Sequence, residues 1–379
     1  MKNKFNTSLG WNISKLGTLC TLQAGGTPSR TILSYWKDGR IKWISARHIN
    51  EDKIQSWEYI SHQGLDNSSA KVSNPGDLIL VTRVSVGKVL FCEEHFAVNQ
   101  DLTIIRKSSK INNKFLFFIL KLLLNQLISS AQGLSIKGIE RSALENLPIP
   151  CPPIEEQRRI VEVLECWDKG IELVKKLIEQ KELQKKYLMQ QLLSGNRRLK
   201  GFTQKWETAR ISEIKDIIIE KGHSLTKQEV IPGNIPVIAG GQTVPFFHNK
   251  WTHNFPCITI SASGAYAGYV WKHTQKIYAS DCNVLYSNNY NLDFLYYVLK
   301  YNQNYLYYIQ TGGAQGHIYA SEIGHISIPF INAREQQAIA EVLSSADKEI
   351  DLLKQKLAKL EAQKKGLMQV LLTGKIRLK

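Results

Sequence analysis

The six cysteines, Cys20, Cys92, Cys151, Cys166, Cys257 and Cys282, form no CxxC pair, so thiol-based zinc ligation has no support. No secretory apolar segment follows Met1, whose neighbours include Lys2, Asn3, Lys4 and Asn6, and free thiols in a reducing cytoplasm are the expectation. Long apolar runs are missing too. The most apolar stretch, residues 115–124, is about half the ~20 residues a membrane span requires and is interrupted by Lys121, which excludes a membrane protein on this reading. Acidic residues are the scarce charge: 33 Asp plus Glu face 49 Lys plus Arg, a net charge of +16 that selects for polyanionic partners. What remains, 43% hydrophobic and 22% charged residues, is ordinary for a globular chain. At 379 residues it exceeds the roughly 250–300 at which one core stops growing, so two or more domains are expected.

Catalytic signatures are absent as well. No Gly-rich loop ends in Gly-Lys-Ser or Gly-Lys-Thr, and Asn74-Pro75-Gly76-Asp77 reads as a turn rather than the Asn-Pro-Pro-aromatic pattern of an amino-methyltransferase. Gly264 and Gly268 lack a following helix signal, so they form no dinucleotide loop. Asp168, Glu179 and Lys181 mimic a nuclease set but share one long helix, where a solvated face explains them better. His248 and His253, or His317 and His325, are not spaced for one helical face, and no metal is expected.

An internal repeat dominates instead. LLSGNRRLK at residues 192–200 returns as LLTGKIRLK at residues 371–379, a shift of 179 positions (371 − 192), and EQRRIVEVL from Glu156 returns as EQQAIAEVL from Glu335 at the same shift. Asp168 then meets Asp347, and Lys185 meets Lys364. Upstream the match passes Ile149-Pro150 and Ile328-Pro329, reaches Lys114-Phe-Leu-Phe-Phe and Asp293-Phe-Leu-Tyr-Tyr, and then fades. Only Trp11 and Leu16 remain as counterparts of Trp206 and Ile211, now at a shift of 195 (206 − 11), so the first front part is longer by sixteen residues. VNQDLTII at 98–105 and YASDCNVL at 278–285 are strand-like, while Pro75-Gly76-Asp77 and Gly312-Gly313 mark turns.

Each copy ends in an amphipathic helix, a strand-like LPIP or ISIP, and one long helix, the first kept from starting earlier by Pro152-Pro153 and the two stopping at Gly195 and Gly374. Steps of four and three trace an apolar seam through Ile160, Leu164, Trp167, Ile171, Val174, Ile178, Leu188 and Leu192, with Lys181 and Lys185 as a polar break. The second seam runs through Ile339, Leu343, Ala346, Ile350, Leu353, Leu357, Leu360, Leu367 and Leu371, broken at Lys364. A helix of about 40 residues is ~60 Å long, and a region of ~130 residues with a radius of gyration near 14 Å cannot cover it. The two helices therefore cover one another. Connectivity makes the pair antiparallel, because a parallel pair would stretch the second variable region over about 60 Å. The expected molecule is a dumbbell or caliper with two unlike heads. Tyr296, Tyr297, Tyr301, Tyr305 and Tyr308 are assigned to helix packing, since Phe117 and Phe118 retain hydrophobicity at the first two positions.

This arrangement, two dissimilar regions each followed by a near-copied EQ helix ending in Leu-Leu-Ser/Thr-Gly, resembles the specificity subunit of type I restriction-modification systems. Further support comes from Gly25-Gly26-Thr27-Pro28-Ser29, Tyr35-Trp36 and Ile235-Pro236-Val237-Ile238. The resemblance implies an α+β fold: target-recognition domains at 1–151 and 196–331, and long spacer helices at 152–195 and 332–379, antiparallel and related by a pseudo-twofold. It implies a chain without catalysis, in which each domain reads one half of a bipartite, non-palindromic DNA site. The helices would set the gap and dock two methyltransferase subunits. Those partners would carry S-adenosylmethionine, and restriction subunits would use ATP and Mg. Half-sites about one helical turn apart, ~10 bp, suit engagement of one DNA face.

Candidate readers are polar or basic loop residues: Arg30, Arg47, His48, Arg83, Ser85, Lys88, Gln132 and Lys137 in the first region, and Lys221, His223, Lys227, Gln242, Ser263, Tyr266, Lys272, Gln315 and His317 in the second. Arg83, between strand-like LILVT and Gly87, and Gln315, after Gly312-Gly313, head the two sets. Rival readings are a specificity chain of another restriction-modification architecture, told apart by its co-purifying partners, and a nuclease with an unrecognised site, told apart by Mg-dependent turnover of plasmid. A coiled-coil adaptor without DNA contact is disfavoured by the +16 charge.

Overall fold

The computed structural model describes residues 10–50, 53–130, 138–311 and 316–378, with no description of the side chains of 125–130 and Lys227. The chain divides into two compact units, Met1–Leu173 with Leu357–Lys379, and Val174–Lys356. Both boundaries fall inside the long helices, Ile154–Leu193 and Ala333–Leu371, so each helix gives its first half to one unit and its second half to the other.

In the first unit a four-stranded antiparallel sheet orders Leu22–Ala24, Leu102–Ile105, Leu78–Val81 and Val89–Phe91. A second sheet orders Glu58–Ile60, Ile41–Ile44, Ala97–Val98 and Lys71–Val72. The second unit repeats the first of these sheets as Ile217–Lys221, Cys282–Ser287, Cys257–Ser261 and Val270–His273, and shortens the other to Phe247–His248, Ile235–Ile238 and Tyr278–Ala279. The repeat that fades in the sequence therefore continues as strand order. VNQDLTII and YASDCNVL are each two strands rather than one, Ala97–Val98 with Leu102–Ile105, and Tyr278–Ala279 with Cys282–Ser287. Their two parts serve different sheets, and Asp101 or Asp281 lies in the turn between them. Alternation of apolar residues is blind to such a break because both parts are buried.

The apolar face of Asn113–Ser130, with Phe115, Leu116, Ile119 and Leu120, packs over Leu78, Leu80 and Ile105, joined by Ile160 and Leu164 from one long helix and Leu371 and Leu372 from the other. In the second unit Phe294, Leu295, Val298 and Leu299 cover Ile258, Ile260 and Leu285, joined by Ile339 and Leu343 and by Leu192 and Leu193. Within each unit the two helix halves run antiparallel: partner numbers fall along one segment as they rise along the other, as in Asp168–Lys364 with Glu156–Arg377, the latter just past the helix end, and Glu182–Lys354 with Lys185–Asp347. Every seam residue is buried or half-buried. The polar break has its own partners, since Lys185 pairs with Asp347 and Lys364 with Asp168, the same bond at the 179-residue shift. Asp168 and Lys181 are thus not merely solvated: both bind across the helix pair, Lys181 to Glu349 at 2.7 Å. Ionic groups at such positions fix register, because a slipped pair would strand a charge.

The repeated motifs are structural in each detail. Gln157 accepts the Asn112 N–H at 2.8 Å and donates to the Pro152 carbonyl at 2.8 Å; Gln336 does the same for Asn291 at 3.0 Å and Ile331 at 2.8 Å. Glu156 accepts from Arg377 Nε at 2.6 Å and Nη2 at 2.7 Å, and Glu335 from Arg198 Nε at 2.7 Å and Nη2 at 2.8 Å. Burial raises the Glu156 carboxyl, and the bonds from Arg377 and Trp11 overcome it to hold the group below the usual carboxylate range. Gly195 and Gly374 end the helices at φ 73° and 74°, each against a tryptophan ring, Trp206 and Trp11. The Pro75-Gly76-Asp77 turn is present, closed by Asp77 N–H to the Asn74 carbonyl at 3.0 Å.

Candidate nucleic-acid interface

A shared backbone frame presents the loops in each unit. In the first, the Asp101 carbonyl accepts the N–H groups of Thr82 at 2.8 Å and Arg83 at 3.2 Å, and the Thr82 carbonyl accepts from Ile139 at 2.8 Å. In the second, the Asp281 carbonyl accepts from Ala262 at 3.1 Å, and the Ala262 carbonyl from Ile318 at 3.0 Å. Gly25 and Gly26 donate to Leu102 and Val98 at 3.2 and 2.9 Å; Gly222 and His223 donate to Cys282 and Ala279 at 2.8 and 2.9 Å. A Cβ on Gly25 would lie 2.0 Å from the Val98 carbonyl oxygen and one on Gly222 2.3 Å from that of Ser280, so only glycine fits. Arg83 and Ser263 hence occupy corresponding places just beyond a buried strand. Residue type does not single out Asp101 and Asp281, because it is their backbone carbonyls, within the strand-like segments 98–105 and 278–285, that hold the loops.

Arg83 is exposed, as are its neighbours Val84 and Ser85, which adopt left-handed φ values of 47° and 60°. At the corresponding place the second unit uses Gly264, φ 85°, which relieves that strain. Lys88 is committed to the Ile49 carbonyl at 2.9 Å. Arg30 and Arg47 are exposed and both bind Glu58. His48 departs from a reader's role: it is buried, and its Nδ1 accepts the Ser45 N–H at 3.0 Å. Burial, then Arg47, pushes its pKa down.

In the second unit the frame gathers Gln242, Ser263, Tyr266 and His317. Ser263 donates to Asp281 and bridges His317, which stacks on Tyr319 at 6.2 Å; Tyr307 bonds Gln242; Tyr266 and Gln242 are exposed. Lys221 and His223 are exposed at the end of the edge strand Ile217–Lys221. Lys272 is instead paired with Asp293 at 2.7 Å. Gln132, Lys137 and Gln315 lie outside the described residues, as does the side chain of Lys227. Tyr297 is buried and Tyr296 half-buried, but Tyr301, Tyr305 and Tyr308 are exposed, Tyr308 by 85%, which corrects their assignment to packing. Their helix faces turn outward where the helix breaks between Leu292–Tyr301 and Gln303–Tyr308.

Arg83→Ala should lower affinity by about 1–3 kcal/mol for the correct base at one position and less for variants there, measured on duplexes with single-base changes. An equal loss on all of them would make Arg83 a phosphate contact.

The second unit also holds a buried histidine away from these loops. His273 Nε2 is 2.8 Å from Thr259 Oγ1 and its ring stacks on Trp271; the nearby His253 is paired with Glu220 at 2.6 Å. Burial, then His253, pushes the His273 pKa down to about 4. A depressed folded-state value means that the unfolded chain takes the proton first. Stability should therefore fall between pH 6.5 and about 4, by up to about 3 kcal/mol, and His273→Asn should flatten that part of the denaturation profile.

Similarity to known proteins extends over nearly the whole chain. A family model described as type I restriction modification DNA specificity domain matches residues 8–183 and again 203–362. The MjaVIII type I restriction enzyme specificity subunit of Methanocaldococcus jannaschii is 23% identical over 97% of this chain and 93% of its own length. The EcoR124I/EcoR124II specificity subunit of Escherichia coli is 30% identical over 40% of each chain. Among solved structures, the type I S subunit from M. genitalium superposes with a TM-score of 0.63 at 18% identity, covering 97% of this chain and 96% of that one. A chain from a study of complex assembly and conformational transition in the type I system gives 0.64 at 22%, covering 96% of each. At those identities the superpositions speak for the fold alone.

Proposed function

This chain belongs to the type I restriction modification DNA specificity family, and from that premise we propose that each of its units reads one half of a two-part DNA site. It is the specificity subunit of a restriction-modification complex and leaves methylation and cleavage to its partner subunits. One observation carries the division into two readings: the same buried frame occurs in both units, while the loops it presents begin with Arg83 in one and Ser263 in the other. Equal frames with unlike tips recognise unlike sequences. The charge of +16 adds attraction to phosphate that is independent of sequence.

The long helices, each shared between the units, set the gap between half-sites and offer the surface on which two methyltransferase subunits dock. Exposed Leu173, Leu177, Leu183, Tyr187 and Leu352 supply apolar anchors for that contact. Restriction subunits complete the assembly. S-adenosylmethionine, ATP and Mg belong to the partners, and this chain needs no cofactor of its own. No helix among the described residues is long and apolar enough to cross a membrane. The complex acts in the cytoplasm, where its DNA lies.

Methylated adenines mapped in DNA from cells carrying the chain and its partners test the reading. A motif in two unlike parts separated by a fixed run of unread bases is expected. A palindrome, or a single uninterrupted motif, overturns it.

A further inference from the structure

Three candidate readers converge on a residue that sequence reasoning passed over. Glu58, on the edge strand Glu58–Ile60, accepts from Arg30 Nη1 at 2.5 Å and Nη2 at 3.2 Å and from Arg47 Nη2, and the buried His48 Nε2 stands 3.6 Å away. The Arg30 guanidinium lies 3.5 Å over the Trp36 ring, which fixes its plane. Trp36 is itself tied down, donating to the Ser29 carbonyl at 3.0 Å and meeting Trp43 edge-on at 5.2 Å. Residues 25–30 carry this cluster from the frame that also presents Arg83: Gly26 donates to Val98, and Thr27 donates to Gln100 at 2.6 Å, next to Asp101.

Stability does not account for the arrangement. Arg30 and Arg47 keep 49% and 65% of their side-chain surface in solvent, and exposed ion pairs contribute little to folding. Its effect is order. Each guanidinium has five N–H donors in a rigid fork, and Glu58 occupies two from Arg30 and one from Arg47, so donors remain for a ligand while the rotamers are held. A held arginine loses less entropy on binding, and the bidentate partner that suits it in the major groove is the N7 and O6 edge of guanine. The carboxylate also offsets one of the two positive charges, which weakens attraction to phosphate at wrong sequences.

We propose that Arg30 and Arg47 are guanine readers of the first unit, with Glu58 and Trp36 as the positioning residues that aim them. The proposal rests on the DNA-reading function above and assigns one base class within one half-site. The corresponding segment of the second unit, residues 222–227 (GHSLTK), contains no arginine, so the requirement belongs to one half-site only.

The test uses the full chain with its methyltransferase partners and three kinds of duplex: its mapped site, that site with 7-deazaguanine replacing each guanine in turn, and a scrambled sequence. Removing N7 at one or two adjacent positions of a single half-site should weaken wild-type binding about tenfold. Glu58→Gln should shrink that penalty below about threefold and bind the scrambled duplex more tightly. Because a folding defect in Glu58→Gln would weaken every duplex, Arg30→Ala, at an exposed position, serves as second variant and should lose the 7-deaza penalty at the guanine that Arg30 reads without gaining affinity for the scrambled duplex. An undiminished penalty in both variants, or no guanine whose N7 matters, overturns the clamp while leaving the DNA-reading function in place. Equal wild-type binding to mapped and scrambled duplexes would overturn that function itself, and the clamp with it.

Discussion

Arg198→Ala is expected to destabilise the second unit by about 3–5 kcal/mol, and Arg377→Ala to harm the first unit less, although the two arginines correspond in the repeat. Both bind a buried glutamate by Nε and Nη2, and the Glu335 side chain is only 1% exposed. Removing Arg198 strands that carboxylate away from water, whereas removing both charges would not. The difference lies in the tryptophans. Trp11 Nε1 donates to Glu156 at 3.2 Å, so that carboxylate keeps a side-chain donor after Arg377 is lost. The buried Trp206 Nε1 has no hydrogen-bond partner among the described residues. Equilibrium denaturation of the two variants measures the gap, and Glu335→Gln added to Arg198→Ala should recover part of the loss by removing the stranded charge. Equal losses in the two single variants would mean that the Trp11 bond contributes nothing.

Salt should have the largest effect on binding. A protein that neutralises six to ten phosphates loses about 10³–10⁵ in affinity between 50 and 200 mM salt, and a chain with 49 basic residues and a net charge of +16 can make that number of contacts across two half-sites. Anisotropy titrations of a labelled duplex at several salt concentrations give the slope directly. Single-base changes should shift such lines without tilting them, because base contacts release no counterions, while loss of a phosphate-binding lysine should lower the slope by about one. A slope near zero would remove phosphate neutralisation from the account.

Much of the architecture is legible because helices announce themselves by local period. The EQ start, the heptad seam and the Leu-Leu-Ser/Thr-Gly stop each form a pattern spaced by a few residues and written twice, so a linear reading finds the pattern although the groups it binds lie far off in the chain. The matched ends even foretell which face each long helix buries. The front parts are harder. Their likeness resides in strand order and in carbonyl and amide bonds, which any residue can make, so the second copy diverged in sequence while keeping the frame. Candidate readers chosen by residue type suffered for the same reason: His48 and Lys88 are polar on paper, yet the fold consumes one inside the protein and the other on a backbone carbonyl.

The sequence by itself determined that there are two copies, that each carries a long amphipathic helix, and that the chain is too basic to avoid polyanions. Only the tertiary structure decided that Asp101 and Asp281 anchor the presented loops, that Glu58 gathers Arg30 and Arg47, and that equivalent glutamates have unequal support. The physical reason is separation along the chain. Glu58 stands 28 residues from Arg30, and Glu156 stands 145 from Trp11 and 221 from Arg377. Periodicity reports what a residue's near neighbours share, whereas a hydrogen bond is made with whatever the fold brings within three ångströms.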